Sequence, residues 1–162
     1  MQREIPSFNK GIVESNIKTL SDYYFLERKR YDLRFWVGGK LIPYHLKDDA
    51  YQWVVFPFHM EIGDYRLCFT VNMGKKRFPI FAFAVIYPES VKPFPAPSHH
   101  LVGIGFKFSP LCVTNNEFTF SSNLTDFTVR EDGNFNICVT ASNWAAQVSN
   151  TSFELLLLKK RI

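Results

Sequence analysis

The sequence predicts an all-β fold: an antiparallel β-sandwich of about seven to nine strands, preceded by one N-terminal helix. Composition is the first indication, because 17% of the 162 residues are aromatic, and aromatic residues favour strands. The second is a repeated alternation of apolar and polar residues, which sorts side chains onto the two faces of a strand. Turn residues between these runs, about every 8–12 residues, are the third. We expect a single domain, with an arm and helix in residues 1–30 and the sandwich in residues 31–162.

An amphipathic segment precedes the strands, in residues 12–30. Four of its apolar residues repeat at the spacing of one helical face: Val13, Ile17, Leu20 and Tyr24. Such a helix either packs across the sandwich or forms a short coiled coil that oligomerises the chain. Fewer than three heptads are marginal as an isolated coiled coil, so the sequence favours packing.

The first half of the sandwich is read from three runs. A strand is predicted at Leu33–Val37, and the Gly-Gly pair at residues 38–39 is expected to turn the chain into a return strand. Pro43 in that return strand is typical of an edge or a bulge. A second run, Tyr51–Met60, predicts another strand.

The third run, residues 65–71, alternates strictly and predicts a half-buried strand. Its apolar face carries Tyr65, Leu67, Phe69 and Val71. Its other face carries Arg66, Cys68 and Thr70. The following segment, Asn72–Arg77, contains Gly74 and three positive charges, as expected of a hairpin tip.

The second half of the chain begins with Phe78–Tyr87, which is apolar on both faces and predicts a central strand. Residues 88–97 contain four prolines and predict an extended loop, because proline lacks a backbone N–H. Val102–Phe108 alternates again. Phe153–Leu158 is apolar on both faces and fits either a last strand or a short helix, because periodicity does not separate the two.

The clearest alternation lies between Asn115 and Ala141. There, Phe127–Val139 predicts a β-hairpin whose turn is the Asp-Gly pair at residues 132–133. Gly133 is expected to adopt a positive φ, which glycine does without steric cost. Phe135 and Ile137 are expected on the inward face of this hairpin.

The cysteines and the first residues indicate the compartment. Cys68, Cys112 and Cys138 are odd in number, form no Cys-x-x-Cys motif and lie in strand-like runs, so we expect unpaired, buried thiols in a reducing environment. Residues 1–10 are polar and lack the apolar core of a secretion signal. The longest apolar run, Leu155–Leu158, is far too short to span a membrane. We expect an intracellular, cytoplasmic protein with no membrane partner.

Catalytic and metal-binding motifs are missing from the sequence. It has no nucleophile elbow, phosphate-binding loop or His-Glu-x-x-His motif. Its histidines do not have the spacing of a metal site: His45, His59, His99 and His100. The acidic pairs occur at predicted turns, where aspartate bonds its own backbone. We expect no enzyme activity, no cofactor and no bound metal.

Nucleic-acid binding is not expected either. The net charge is only +4, and three short basic clusters carry much of the positive charge: Arg28–Arg30, Lys75–Arg77 and Lys159–Arg161. Such clusters are usually solvated edges or turn tips. Exposed aromatics such as Phe35 and Trp36 would suit base stacking, but the alternating positions of most phenylalanines are explained by one core.

Two stretches resemble the TRAF-type (MATH) sandwich, and most closely the substrate-binding domain of seven-in-absentia ubiquitin ligases. The first is Phe118–Val139 with its Glu-Asp-Gly-Asn turn, and the second is Ile62–Phe69, which is similar to a Gly-Tyr-Lys-Leu-Cys strand. Ser98-His99 before Val102 is a further similarity. The resemblance covers about residues 60–141; the chain continues beyond Ala141, where that family ends, and has no zinc-ligand cysteines. It implies an eight-stranded sandwich that binds partner peptides and can oligomerise.

The sequence therefore predicts a non-enzymatic protein–protein interaction domain that binds a partner peptide along a sheet edge, as a substrate-recognition or adaptor module. The residues predicted to bind the peptide are Tyr65, Leu67, Phe69 and Val71. Two alternatives stay open. One is a structural subunit, a viral or particle jelly roll that assembles with copies of itself. The other is a β-barrel that binds a small ligand in an aromatic cavity.

Overall fold

A computed structural model of the chain describes residues 19–40, 43–44, 54–74, 82–90, 102–104, 108–114, 117–122, 124–142 and 152–162. These residues form one helix and eleven strands. The elements are α1 (Thr19–Glu27), β1 (Tyr31–Lys40), β2 (Pro43–Tyr44), β3 (Val54–Met60), β4 (Gly63–Asn72), β5 (Ala82–Pro88), β6 (Val102–Ile104), β7 (Phe108–Thr114), β8 (Glu117–Ser122), β9 (Thr125–Val129), β10 (Gly133–Ser142) and β11 (Ser152–Lys160).

The strands form two sheets. The first sheet has the order β1-β11-β4-β8-β7, and β9 pairs with β4 beside β8. The second has the order β2-β10-β5-β6, and β3 pairs with β10. The pairings are antiparallel apart from the two-residue bridge between β2 and β10. The predicted all-β sandwich with a helix near its N-terminal side is confirmed.

Eight of the strands pair in a nested order. β1 pairs with β11, β3 with β10, β4 with β9 and β5 with β6, so that each pair encloses the next along the chain. One long antiparallel ladder has thus been wrapped into two sheets, which is the jelly-roll arrangement of a sandwich. β7 and β8 extend the first sheet beyond this set of eight.

The core lies between the inner faces of the two sheets. Its largest fully buried members include Phe69, Ile86, Ile137, Phe153 and Leu155. Phe135 and Ile137 do face inward from β10, as the alternation predicted. Burying each such side chain contributes roughly 1.5–3 kcal/mol, which makes this cluster the main source of stability.

A second, smaller cluster lies on the outer face of the first sheet, beneath α1. It contains Leu20, Tyr31, Cys68, Leu156 and Leu158, and Tyr23 and Tyr24 pack against it. The helix therefore packs on the sandwich through Leu20 and Tyr24, two of the predicted positions. The prediction of a half-buried β4 is wrong, because the helix also covers the polar-patterned face of that strand at Cys68.

The C-terminal apolar segment is a strand. β11 lies between β1 and β4, and its residues from Ser152 to Leu158 are all buried. Odd and even positions alternate between the main core and the cluster under α1. This two-sided burial explains why the segment shows no alternation in sequence. The predicted central strand at residues 78–87 is likewise confirmed for its described part, since β5 pairs with both β10 and β6.

Two predicted turns are wrong. β9 belongs to the first sheet and β10 to the second, so Phe127–Val139 is a crossing between sheets and not a hairpin. Gly133 is the first residue of β10, where it pairs with Met60 of β3, and it is not one of the positive-φ glycines. Gly74, with φ 61°, does lie in the left-handed region. The Gly-Gly pair at 38–39 continues β1 opposite β11 instead of turning the chain, because a ten-residue strand pairing outweighs the local preference of two glycines.

The thiols of Cys68 and Cys138 are free and buried, as predicted. Burial raises the pKa of the Cys68 thiol to about 12. The side chain of Cys112, most of the proline-rich loop, and residues 1–18 lie outside the described part of the chain. Among the described residues, no helix combines the length and apolarity needed to cross a membrane.

Candidate functional site

The four residues predicted to bind a peptide lie in the core. Tyr65 is 2% exposed, and Leu67, Phe69 and Val71 are fully buried. Their strand, β4, pairs with β11 on one side and with β8 and β9 on the other. The site therefore needs correction, because neither these side chains nor an edge of β4 is open to a partner. Alternating apolar residues signal a core strand as readily as a binding strand.

β1 is the edge strand on one side of the first sheet. Within the described part of the chain, it pairs with β11 alone, through nine of its ten residues. Leu33 and Trp36 are 38% and 49% exposed on this strand. They stand opposite Leu158 and Leu156, so both lie on the outer face of the sheet, where α1 packs. We call Leu33, Trp36 and the outer side of β1 the exposed apolar edge.

A β-bulge puts these two side chains on the same face. The register of β1 against β11 shifts between Leu33 and Phe35, which leaves Arg34 as the extra residue. In a regular strand without the bulge, Leu33 and Trp36 are three residues apart and would point to opposite faces of the sheet, because the side-chain period of a strand is two. Sequence reasoning missed this pair for the same reason. The signal that existed was the aromatic pair Phe35-Trp36 beside basic residues.

Trp36 is held in place by a buried carboxylate. Its indole Nε1–H donates to Oε2 of Glu154 at 2.9 Å, and Glu154, on β11, is fully buried. The other oxygen, Oε1, accepts a hydrogen bond from the backbone N–H of Leu20 at 2.9 Å. Leu20 lies in the first turn of α1, where backbone N–H groups have no helical acceptor and a negative charge is favourable. One carboxylate thus fixes both the helix and the exposed tryptophan.

The neighbouring edge, β3 of the second sheet, is less open. The ring of Phe35 contacts the rings of Phe56 and Phe58 at centroid distances of 5.3 and 5.6 Å, which joins the two edge strands across the core. β3 also carries an exposed proline, Pro57, which has no N–H to offer a further strand. Proline is a common device for blocking an edge. β1, the other of these two adjacent edge strands, contains no proline.

A polar groove of about 220 Å³ opens on the first sheet beside Tyr31. Its lining comprises Tyr31, Asp64, Tyr65, Asp126, Phe127, Thr128 and Lys160. Thr128 donates its hydroxyl to Asp64 at 2.8 Å. The groove joins an aromatic surface to groups of both charges and suits a polar side chain better than an apolar one.

Arg66 contacts two residues of the groove's lining, Asp126 and Tyr31. Its Nε–H donates to Asp126 at 2.7 Å, and its guanidinium lies 4.8 Å from the centre of the Tyr31 ring. It also donates to the hydroxyl of Tyr23 on α1. The hydrogen bond from Arg66 holds the pKa of the Asp126 carboxyl below its ordinary value. Burial raises the pKa of the Tyr23 hydroxyl. Arg66 and Asp126 therefore stay charged near neutral pH, the Tyr23 hydroxyl stays neutral, and the three groups attach the helix to β4.

Among the described residues, no three histidine, cysteine, aspartate or glutamate side chains lie together as the ligands of a metal ion would. Nδ1 of His59 lies 3.0 Å from Oδ1 of Asn134 on the adjacent strand. His45, His99 and His100 fall outside the described residues.

Comparison with known proteins adds no relative: the chain matches no protein-family model and no curated protein sequence. Fold and site together define a class only, an antiparallel jelly-roll sandwich with an exposed apolar edge strand.

Proposed function

We propose that this chain is a non-enzymatic protein-interaction domain that binds an extended segment of a partner along the outer side of β1. One observation carries the proposal. β1 is ten residues long, has β11 as its only strand partner in the described part of the chain, and exposes Leu33 and Trp36. A long edge with exposed apolar side chains is a liability in an isolated protein, so its presence favours a partner.

The mechanism is addition of one strand to the first sheet. Backbone hydrogen bonds along β1 supply affinity, and alternate side chains of the partner contact Leu33 and Trp36. The bulge at Arg34 interrupts the ladder and residues 37–39 are buried, so the exposed part of the edge on which a partner strand lies runs over residues 32–36. The hydrogen bond to Glu154 holds the tryptophan ring in one orientation before the partner arrives, which lowers the entropy lost on binding.

A matched pair of exposed leucines tests the proposal. A display library of random ten-residue peptides is selected on the purified protein, and the enriched peptides are measured by fluorescence anisotropy. Leu33→Ser should weaken binding by about threefold to sevenfold, because full burial of a leucine contributes roughly 1.5–3 kcal/mol and Leu33 is 38% exposed before binding. Leu124→Ser removes a leucine of similar exposure, 42%, outside β1 and should change nothing. Equal losses of peptide affinity in the two variants would contradict the proposal.

Methylation of single backbone nitrogens in the best peptide separates strand addition from other contacts. A bound strand directs alternate N–H groups toward its neighbour. Methylation should therefore abolish binding at every second position and be tolerated between them. Uniform tolerance along the peptide would mean that the peptide does not bind as a strand.

Self-assembly is the second candidate, and the nested strand order favours it. Jelly rolls form viral capsid and lectin domains as well as other proteins, and one fold serves many functions. If the chain is such a subunit, β1 or another surface contacts a second copy of the chain. Light scattering during size exclusion distinguishes the two: a large closed assembly supports a structural subunit, whereas a monomer that captures peptides supports the interaction domain.

A further inference from the structure

The exposed charge around the apolar edge is positive. Arg34 and Lys40 lie on β1, and Arg28 and Lys29 lie in the turn that leads into it. All four side chains are exposed. None of them forms an ion pair with another described residue. Within the described part of the chain, these four cationic groups therefore have no acidic partner of their own.

Two described acidic groups next to β1, Glu27 and Asp32, already have cationic partners. Glu27 accepts a hydrogen bond from Arg30 at 2.7 Å, within the helix-to-strand turn. Asp32, on β1 itself, accepts one from Arg161 at 2.8 Å. Because these carboxylates have their own cations, they do not offset the positive rim that Arg34 and Lys40 provide.

We infer that the partner segment is acidic, with apolar side chains at alternate positions; this inference rests on the proposed function. Its apolar residues contact Leu33 and Trp36, and its carboxylates lie along the rim of Arg28, Arg34 and Lys40. Opposite potentials across an interface speed association and exclude wrong partners. A second copy of β1 fits poorly, because it would bring the same cations to the same edge, and like charges on neighbouring strands are destabilising.

The peptide selection gives the first test. Sequences enriched from the random ten-residue library should carry more aspartate and glutamate than the unselected library, alternating with apolar residues. Replacing the glutamates of the best peptide by glutamine should weaken binding, and replacing them by lysine should abolish it. Binding of the acidic peptide should also fall as salt is raised through physiological ionic strength, where the Debye length is about 8 Å.

Charge variants give the second test. Arg34→Gln and Lys40→Gln should each lower the affinity for the acidic peptide by about 1.5- to 5-fold, which is the range for exposed ion pairs. Most of this effect should come from slower association. Arg130→Gln is the control, because Arg130 is an exposed cation that follows β9, three strands away across the sheet. It should leave the affinity unchanged.

The outcomes are distinct. Enriched peptides that depend on Leu33 but are neutral or basic would overturn the acidic partner and leave the interaction domain standing. Enriched peptides that do not depend on Leu33, or no enrichment at all, would overturn both. A dT20 oligonucleotide that displaces the peptide and responds equally to Arg34→Gln would assign the positive edge to nucleic acid and overturn the inference.

Discussion

At the scale of single residues, Glu154 joins three parts of the molecule: its own strand, the first turn of α1 and the edge tryptophan. A buried carboxylate is costly unless it is fully hydrogen-bonded. Here it accepts from two donors, and one of them, the Leu20 N–H, would otherwise be buried without this acceptor. The effect of removing it should therefore exceed that of an average polar substitution.

We predict that Glu154→Ala lowers the free energy of unfolding by about 2–4 kcal/mol, because two hydrogen bonds are lost and the buried Leu20 N–H is left without this acceptor. Glu154→Gln keeps one acceptor oxygen and should cost less than half as much. Glu131→Ala, in the exposed turn before β10, should stay within about 0.5 kcal/mol. Urea unfolding curves measure all three. Similar midpoints for the alanine and glutamine variants would show that the hydrogen bonds carry little of the stability.

Two glycines make the second residue-scale contrast. Gly74 has φ 61°, where an L side chain is strained, and its N–H donates to Asn72 at 2.8 Å within the turn. We predict that Gly74→Ala costs about 1–2 kcal/mol and Gly74→Asn less, because asparagine tolerates the left-handed region. At Gly133 an added Cβ would meet Phe135 at an ordinary 3.6 Å, so Gly133→Ala should be nearly neutral. Thermal unfolding that ranks Gly133→Ala as the more damaging change would contradict this assignment of backbone conformation.

At the scale of elements, α1 acts as a cover for the outer face of the first sheet. Leu20 is 3% exposed, whereas Phe25 on the same helix is 62% exposed. We predict that Leu20→Ala destabilises the protein by about 2–3 kcal/mol and that Phe25→Ala changes stability by less than about 0.5 kcal/mol. Hydrogen exchange checks the location of the effect: amides of α1 should lose protection before those of β10. Equal destabilisation by the two variants would mean that the helix is not packed through Leu20.

Sequence alternation found most strands but not their neighbours. It placed Phe135 and Ile137 on the inner face correctly, because a period of two is a local property of the chain. It misassigned Phe127–Val139 as a hairpin, since whether two successive strands share a sheet depends on contacts with distant strands. The exposed pair Leu33 and Trp36 on β1 was missed for a related reason. The bulge at Arg34 is created by pairing with β11, more than one hundred residues away along the chain.

At the scale of the whole molecule, β11 completes the first sheet. It is the last strand in the chain, yet it lies between β1 and β4 and pairs with both. The sheet therefore has no continuous hydrogen-bonded ladder until this strand is in place. Such long-range pairing is typical of domains that fold slowly.

We predict that a chain ending before Ser152 shows no cooperative thermal transition by circular dichroism and is degraded rapidly by protease, because β1 and β4 have lost the strand between them. Removing only Arg161 and Ile162 is the control. It eliminates the ion pair with Asp32 and one backbone hydrogen bond to Arg30, and should cost about 1 kcal/mol or less. Cooperative unfolding of the shorter chain would show that the remaining strands form a sandwich without β11.

The nested order also determines how the molecule responds to tension. Tyr31, where the chain enters the sandwich, pairs with Lys160, near where it leaves. Opposite forces applied at these two points would load the β1–β11 ladder at its end, so its hydrogen bonds would break one after another and not all together. The sandwich should open at low force when it is pulled from both sides. The same closeness would allow this part of the chain to be inserted into a surface loop of a host protein with little distortion of either.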